Sequence, residues 1–98
     1  RRCDLVIGIA YDSDIKLAKD TMLKVITEDA ATLKDMDLVV FVDALADSSI
    51  KIGVRCWFNN DDYWTGKWRV TDNIKYALDA ANIVIPFPQM DVHVDNQK

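Results

Sequence analysis

Three segments of the chain have the hydrophobic patterns of β-strands. Residues 3–11 are rich in β-branched and other apolar side chains, which predicts a strand buried on both faces. Residues 38–45 are similarly apolar and are predicted to form a second strand. Between residues 50 and 59, apolar and polar positions alternate with a period of two. That alternation predicts a third strand with one buried face and one partly exposed face.

Two longer segments have apolar residues at helical spacing. In the first, five apolar residues recur at the spacings of one helix face, namely Ile15, Ala18, Met22, Val25 and Ile26. Asp12, Ser13 and Asp14 supply capping side chains, and this helix is predicted to end near Glu28 or Asp29. In the second, over residues 63–81, the predicted buried face consists of Trp64, Trp68, Thr71, Ile74, Leu78 and Ala81. Asn82 is its expected C-cap, and the polar residues 59–62 are expected to cap its start.

A last extended segment, residues 83–88, contains Pro86 and Pro88. Proline has no N–H to donate, so this segment can only be an edge strand or an exit from the domain. The predicted order is therefore β-α-β-β-α-β. It indicates an α+β, ferredoxin-like sandwich with both helices on one face of an antiparallel sheet of strand order 4-1-3-2. We assign residues 1–88 to this domain and residues 89–98 to a C-terminal strand or tail.

Length and charge narrow the class of protein. The chain has 98 residues, with 12 lysines and arginines against 16 aspartates and glutamates, for a net charge of −4. This acidity disfavours binding to a nucleic-acid backbone. No apolar run approaches the roughly 20 residues needed to cross a bilayer. Because the sequence starts at Arg1, we expect it to be part of a longer protein.

Candidate chemistry is sparse. Cys3, Cys56 and His93 do not have the short spacings of a zinc site, and no phosphate-binding or nucleophile motif occurs, so we expect no cofactor, metal or catalytic residues. The two thiols are expected to be free and buried, as in a reducing compartment, although a disulfide stays possible because the first and third strands are predicted neighbours. The acidic pairs Asp12/Asp14 and Asp61/Asp62 are interpreted as helix caps.

The end of the chain carries the candidate functional residues. Met90, Val92 and Val94 alternate with Asp91 and His93, which predicts a short strand beyond the proline break. Such a strand has no local partner, and its unpaired N–H and C=O groups would pair with another chain. Several copies around an axis could close into a barrel. A tail, or a continuation of the fourth strand, is the alternative.

Several motifs in order resemble the small-conductance mechanosensitive channel (MscS) family. They are IGIAYDSDI at residues 7–15, LKD at 33–35, DSSI at 47–50, VRCW at 54–57, IK at 74–75, ALDAANI at 77–83 and IPFPQMDV at 85–92. The resemblance covers nearly the whole chain and is to the family's carboxyl-terminal cytoplasmic α/β domain. Ala46 stands where the family often has glycine, and Gly66 and the tryptophans of the second helix are less typical.

The resemblance implies a homoheptameric channel in the bacterial inner membrane that opens under tension and releases solutes on hypo-osmotic shock. The pore and a β-domain would precede Arg1. Seven α/β domains, outside the membrane themselves, would enclose a cytoplasmic vestibule that filters solutes by size and charge. The residues that would line a seven-stranded barrel at the subunit interface are Gln89, Met90, Asp91, Val92, His93 and Val94. The family implies no catalytic residues and no cofactor.

Two other functions are weighed against the channel. One is a stand-alone ferredoxin-like regulatory module that binds a small molecule in an aromatic crevice near Trp57, Trp64 and Trp68. The other is an enzyme on the same fold, such as an acyl-phosphate hydrolase, although the chain lacks a phosphate-binding loop with a suitable arginine. RNA binding is disfavoured because the third strand carries one exposed-face tryptophan and a weak basic pair in an acidic chain.

Overall fold

A computed structural model of the chain describes residues 1–86. The predicted strand at residues 90–94 and the predicted tail domain 89–98 lie outside these residues. The elements, in chain order, are β1 (Arg2–Ile9), α1 (Ile15–Glu28), β2 (Val39–Leu45), β3 (Ile50–Trp57), a 3-10 turn (Asn60–Asp62) and α2 (Tyr63–Ala80). Each predicted element within this part of the chain is present, except the fourth strand.

The sheet is antiparallel, with β3 between β1 and β2. This order is the 1-3-2 part of the predicted 4-1-3-2 arrangement. The register of β2 against β3 shifts between Val42 and Ala44, so β2 carries a bulge. Residues 83–86 form no strand, and a single backbone hydrogen bond, from the Ala10 N–H to the Val84 carbonyl (2.9 Å), holds them beside the end of β1. The α+β class is confirmed.

Helix α1 follows its sequence pattern closely. The Asp14 carboxylate accepts a hydrogen bond from the Leu17 N–H (3.0 Å), as expected of an N-cap. Ala18, Met22 and Ile26 are buried against the sheet. The predicted face is therefore correct: its other two residues, Ile15 and Val25, are partly buried against the same core, which α1 shares with α2 and the sheet.

Helix α2 is rotated relative to its predicted face. The side chains that it buries are Tyr63, Gly66, Val70, Ile74 and Leu78. Trp64 and Trp68, which were expected in the core, are 50% and 60% exposed, and Thr71 is exposed as well. The reason is Phe58, which is fully buried and packs directly over Gly66, so that the glycine side of the helix faces the sheet.

The start of α2 also differs from expectation. Asp62 is the N-cap residue, but neither Asp62 nor Asn59 makes a side-chain capping hydrogen bond. A 3-10 turn precedes the helix instead, in which the Asp62 N–H donates to the Asn59 carbonyl (3.0 Å). The Asp61/Asp62 pair thus contributes negative charge near the positive end of the helix dipole without capping it.

The core lies between the sheet and the two helices. β3 supplies its centre through Ile50, Ile52, Val54 and Cys56, all nearly or fully inaccessible to solvent. The alternation predicted for this strand is confirmed at Lys51, Arg55 and Trp57, which are only partly buried. Gly53, predicted on the same partly exposed face, is buried because the Phe41 ring packs over it. The opposite face of the sheet carries no helix among residues 1–86.

Candidate functional site

The predicted interface residues, Gln89, Met90, Asp91, Val92, His93 and Val94, lie outside the described residues, so the structure does not test them. What it shows is how the chain is directed towards them. Asn82 follows α2 with a φ of 61°, a left-handed conformation that asparagine tolerates. The predicted C-cap was wrong by one position: Ala81 is the C-cap, and Asn82 is the left-handed residue that follows it.

Two backbone hydrogen bonds complete this helix end. The Ile83 N–H donates to the Leu78 carbonyl (2.9 Å) and the Asn82 N–H donates to the Asp79 carbonyl (3.1 Å). This is the Schellman arrangement, and its usual apolar contact is present because Ile83 and Leu78 are both in the core. Together with the bond from Ala10 to Val84, these contacts fix where residues 84–86 leave the domain, beside β1.

A polar junction joins the C-terminal end of α1 to α2. Arg69 donates from Nε and Nη2 to the two carboxylate oxygens of Asp29, at 2.6 Å and 2.9 Å. The Asp29 side chain is 3% exposed, and its carboxylate also accepts from the Ala31 N–H at 3.0 Å. The Arg69 guanidinium, helped by the Ala31 amide, lowers the pKa of Asp29 despite its burial.

Lys34 extends the junction into the loop that leads to β2. Its ammonium donates to the backbone carbonyls of Asp29 (2.6 Å) and Thr32 (2.8 Å) and to the Thr32 hydroxyl (2.6 Å). The Thr32 hydroxyl, itself buried, donates to the Ile26 carbonyl at 2.7 Å. These bonds satisfy the carbonyl groups left free at the end of α1. The polar groups of the junction are thus hydrogen-bonded to one another and to the backbone, which gives them a structural role at the end of α1.

A groove of about 590 Å³ lies beside this junction, between the two helices. Val25 and Ala77 are part of its apolar lining, while Glu28, Arg69 and Asn73 are polar lining residues. The Arg69 guanidinium is already engaged by Asp29, which leaves the groove without a strongly directed cation. Such a surface suits packing against another protein surface better than binding a small charged molecule.

The tryptophans are divided between two faces of the domain. Trp64 and Trp68 lie together on the outer side of α2, with ring centroids 6.1 Å apart. Trp57 lies on β3 between Cys56 and Phe58, which face the core, so it points to the opposite face of the sheet. The aromatic crevice expected for a small-molecule module is therefore not assembled, and that interpretation loses its support.

Cations lie close to the aromatic rings at the start of α2. The Arg1 guanidinium lies 3.9 Å from the centroid of the Tyr63 ring and 5.6 Å from that of Trp64. The Lys67 ammonium lies 5.4 Å from the Trp64 centroid. These distances are within the range of cation–π attraction, which holds Arg1 against the first turn of the helix.

The two cysteines face each other inside the sheet. Cys3 of β1 and Cys56 of β3 are direct partners in the strand register, and both are free and fully buried. The neighbouring Cys3 sulfur, followed by burial, raises the pKa of the Cys56 thiol. Two free, buried thiols are the state expected from the sequence, and that expectation is confirmed.

Within residues 1–86, no group of three or more His, Cys, Asp or Glu side chains is placed to hold a metal ion. Over those residues, no helix combines the length and the apolar character required to cross a membrane.

Comparisons with known proteins identify the family. The family model described as the C-terminal region of the mechanosensitive ion channel MscS matches residues 3–85. The small-conductance mechanosensitive channel of Edwardsiella ictaluri is 45% identical over 94 residues, which are 96% of this chain and 33% of that protein. An uncharacterised MscS family protein of Archaeoglobus fulgidus is 38% identical over 97 residues, 99% of this chain and 34% of that protein.

A solved structure supports the same family. The crystal structure of Helicobacter pylori MscS in its closed state matches with a TM-score of 0.85 and 33% identity, over 99% of this chain and 39% of that one. The chain spans about a third of the length of the curated relatives that it matches. With a family model covering most of its length, the chain belongs to the MscS family of mechanosensitive ion channels and forms their C-terminal domain.

Proposed function

We propose that the chain is the cytoplasmic vestibule domain of a homoheptameric channel in the inner membrane. The channel opens under membrane tension and releases solutes on hypo-osmotic shock. The match of residues 3–85 to the MscS C-terminal model carries this proposal, supported by the structural likeness to a closed MscS channel. The pore and a β-domain precede the domain in the full-length protein.

The role of this domain is to build a wall and to hold subunits together. Gln89–Val94 forms one strand of a seven-stranded barrel, which gives its unpaired backbone groups partners in neighbouring subunits. The anchoring of residues 82–84 supports this role, because a barrel needs every copy to deliver its strand from the same point and in the same direction.

The wall filters solutes by size and by charge. Each copy carries a formal net charge of −4, so the assembled vestibule has a large negative potential that attracts cations and repels anions. Raising the salt concentration should weaken this preference, since mobile ions screen charges beyond about 10 Å at 0.1 M.

The proposal is tested in the full-length protein. Reconstituted channels should show suction-activated currents in membrane patches, and cells lacking other channels should survive hypo-osmotic shock when they express it. Absence of tension-activated current would overturn the channel function itself.

The barrel strand is tested separately by Val92→Asp. A charge on the apolar side of the strand should reduce the heptamer seen by native mass spectrometry. Asp91→Asn on the opposite side is the matched control and should leave the assembly intact. A Val92→Asp channel that assembles as well as the parent would contradict the strand's role, but not the channel function.

The isolated 98-residue chain should not form the heptamer. A single short strand per copy buries too little surface to hold seven subunits without the pore and the β-domain. Light scattering at micromolar concentration should therefore show a monomer or a small, weak oligomer. A stable heptamer would show that this domain alone drives assembly.

A further inference from the structure

A small cavity lies where three segments of the domain meet: the end of β1, the turn before β3 and the chain that follows α2. Its volume is about 240 Å³, below the range of about 300–1,000 Å³ typical of pockets for drug-sized ligands. The residues that line it are Gly8, Ser48, Ser49, Lys51, Ile85 and Pro86. Lys51 is the single charged residue of this lining.

Gly8 keeps the cavity open between two hydrogen-bond donors. Gly8 and Lys51 are direct partners in the register of β1 and β3. A Cβ atom at position 8 would lie 3.1 Å from the Ser49 Oγ and 3.5 Å from the Lys51 Nζ. The missing side chain therefore leaves free the space that both the hydroxyl and the ammonium group reach.

Within residues 1–86, neither donor has a side-chain partner that accounts for its position. Six salt bridges occur within residues 1–86, and none of them includes Lys51, although this side chain is partly buried. Ser49 is 4% exposed, and its hydroxyl makes no side-chain hydrogen bond to another described residue. Both groups therefore keep hydrogen-bonding capacity directed at the cavity, which an acceptor inside it could use.

We propose that this cavity binds a small oxyanion, that is, a carboxylate or phosphate group. Lys51 provides the positive charge, and the Ser48 and Ser49 hydroxyls donate hydrogen bonds to the anion's oxygens. No carboxylate lines the cavity to repel it. Ile85 and Pro86 form an apolar side that limits the ligand to a compact group.

A bound anion would connect β3 to the segment that leaves the domain, because Lys51 and Pro86 line the same cavity. It would thereby hold residues 85–86 against the sheet. This site goes beyond the proposed channel function and does not depend on it, since the donors belong to the domain itself.

The test uses the ¹⁵N-labelled 98-residue chain, titrated with inorganic phosphate and, separately, with acetate. Ionic strength is held constant with sodium chloride. Saturable shifts of the Gly8, Ser49 and Lys51 amide signals are expected with at least one of the two anions. Response to phosphate alone or acetate alone assigns the chemical class, and response to both assigns a general oxyanion site.

Variants then establish which groups bind. Lys51→Met should abolish saturation, and Gly8→Ala should weaken binding at least tenfold by placing a methyl group between the donors. Lys19→Met is the matched control, because Lys19 also forms no salt bridge within residues 1–86 and its loss changes the net charge equally. If Gly8→Ala does not fold, Ser49→Ala is used in its place and should also weaken binding.

The proposal is overturned if neither anion gives a saturable shift. It is also overturned if Lys51→Met binds as tightly as the parent, or if shifts scatter over all lysines without saturation. That last pattern would show nonspecific screening of surface charge.

Discussion

Arg69 and Asp29 are 40 positions apart in sequence, yet two hydrogen bonds join the guanidinium of one to the carboxylate of the other. The pair links the C-terminal end of α1 to the middle of α2. Asp29 is buried, whereas Arg69 is nearly half exposed. Loss of the pair would therefore leave the carboxylate charged and buried without a partner, while water could still solvate the guanidinium. The junction sets the relative position of the two helices on the sheet.

Arg69→Met should destabilise the domain by about 1–3 kcal/mol, because it leaves a buried carboxylate without its main partner. The free energy of unfolding in urea measures this loss. Lys75→Met is the control: it removes the exposed pair with Asp79, whose side chains are 56% and 53% exposed, and should cost less than about 1 kcal/mol. Equal losses in the two variants would contradict the importance of burial.

The same pair predicts the acid sensitivity of the domain. Arg69 lowers the pKa of Asp29 below its ordinary value of 3.8, so the unfolded chain takes up this proton at higher pH than the folded one. The stabilisation is therefore full at neutral pH and is lost as the pH falls below about 4. Urea unfolding from pH 7 to pH 2.5 should show the parent and Arg69→Met converging at the acid end. If the difference in unfolding free energy between the parent and Arg69→Met stayed constant from pH 7 to pH 2.5, protonation of Asp29 would not be coupled to unfolding.

Gly66→Ala should destabilise the domain although alanine favours helices by about 1 kcal/mol over glycine. The added Cβ would overlap the Cε1 atom of Phe58, a ring with no exposed surface. Overpacking of this kind costs about 1–3 kcal/mol, which outweighs the gain in propensity. Thermal unfolding should show the loss, and Phe58→Leu combined with Gly66→Ala should lose less than the sum of the single variants. An increase in stability on Gly66→Ala alone would show that the ring moves away freely.

The buried faces of α1, β3 and α2 differ in how well the sequence predicts them. α1 and β3 each have one apolar face, and both faces were predicted correctly. α2 has two apolar stripes, and the size of Trp64 and Trp68 favoured the wrong one. The residue that marks the buried stripe is Gly66, because Phe58 packs on it. The sequence alone does not show that contact.

The junction and the oxyanion cavity could not be predicted for a related reason. Asp29 and Arg69 have no periodic relationship, and nothing local distinguishes them from exposed charged residues. Gly8 and Lys51 become neighbours only through the register of β1 against β3. Contacts of this kind follow from tertiary packing, whereas strands, helices and the turn at Asn82 follow from local preferences.

Cys3 and Cys56 should resist modification in the folded protein. Both are fully buried and so inaccessible to a reagent, and the raised pKa of Cys56 makes its own thiolate rare as well. A thiol-specific chromogenic disulfide should react on the order of 1,000-fold more slowly than with the chain unfolded in guanidinium, where both thiols react at once. Stoichiometric labelling of the native protein within minutes would show that β1 separates readily from β3.

Asn82 should tolerate glycine but not alanine. Its φ of 61° lies in the left-handed region, where a residue with an ordinary Cβ loses about 1–2 kcal/mol and glycine does not. Asn82→Ala should therefore lower the free energy of unfolding by about 1 kcal/mol, while Asn82→Gly should stay close to the parent in chemical denaturation. The alanine variant should also weaken the hydrogen bond from Ile83 to Leu78, which fixes the direction of the exit segment. Faster amide hydrogen exchange at Ile83 in Asn82→Ala, but not in Asn82→Gly, would confirm that the turn directs the chain. Equal stability and exchange in both variants would show that the left-handed turn is not what holds this end of the helix.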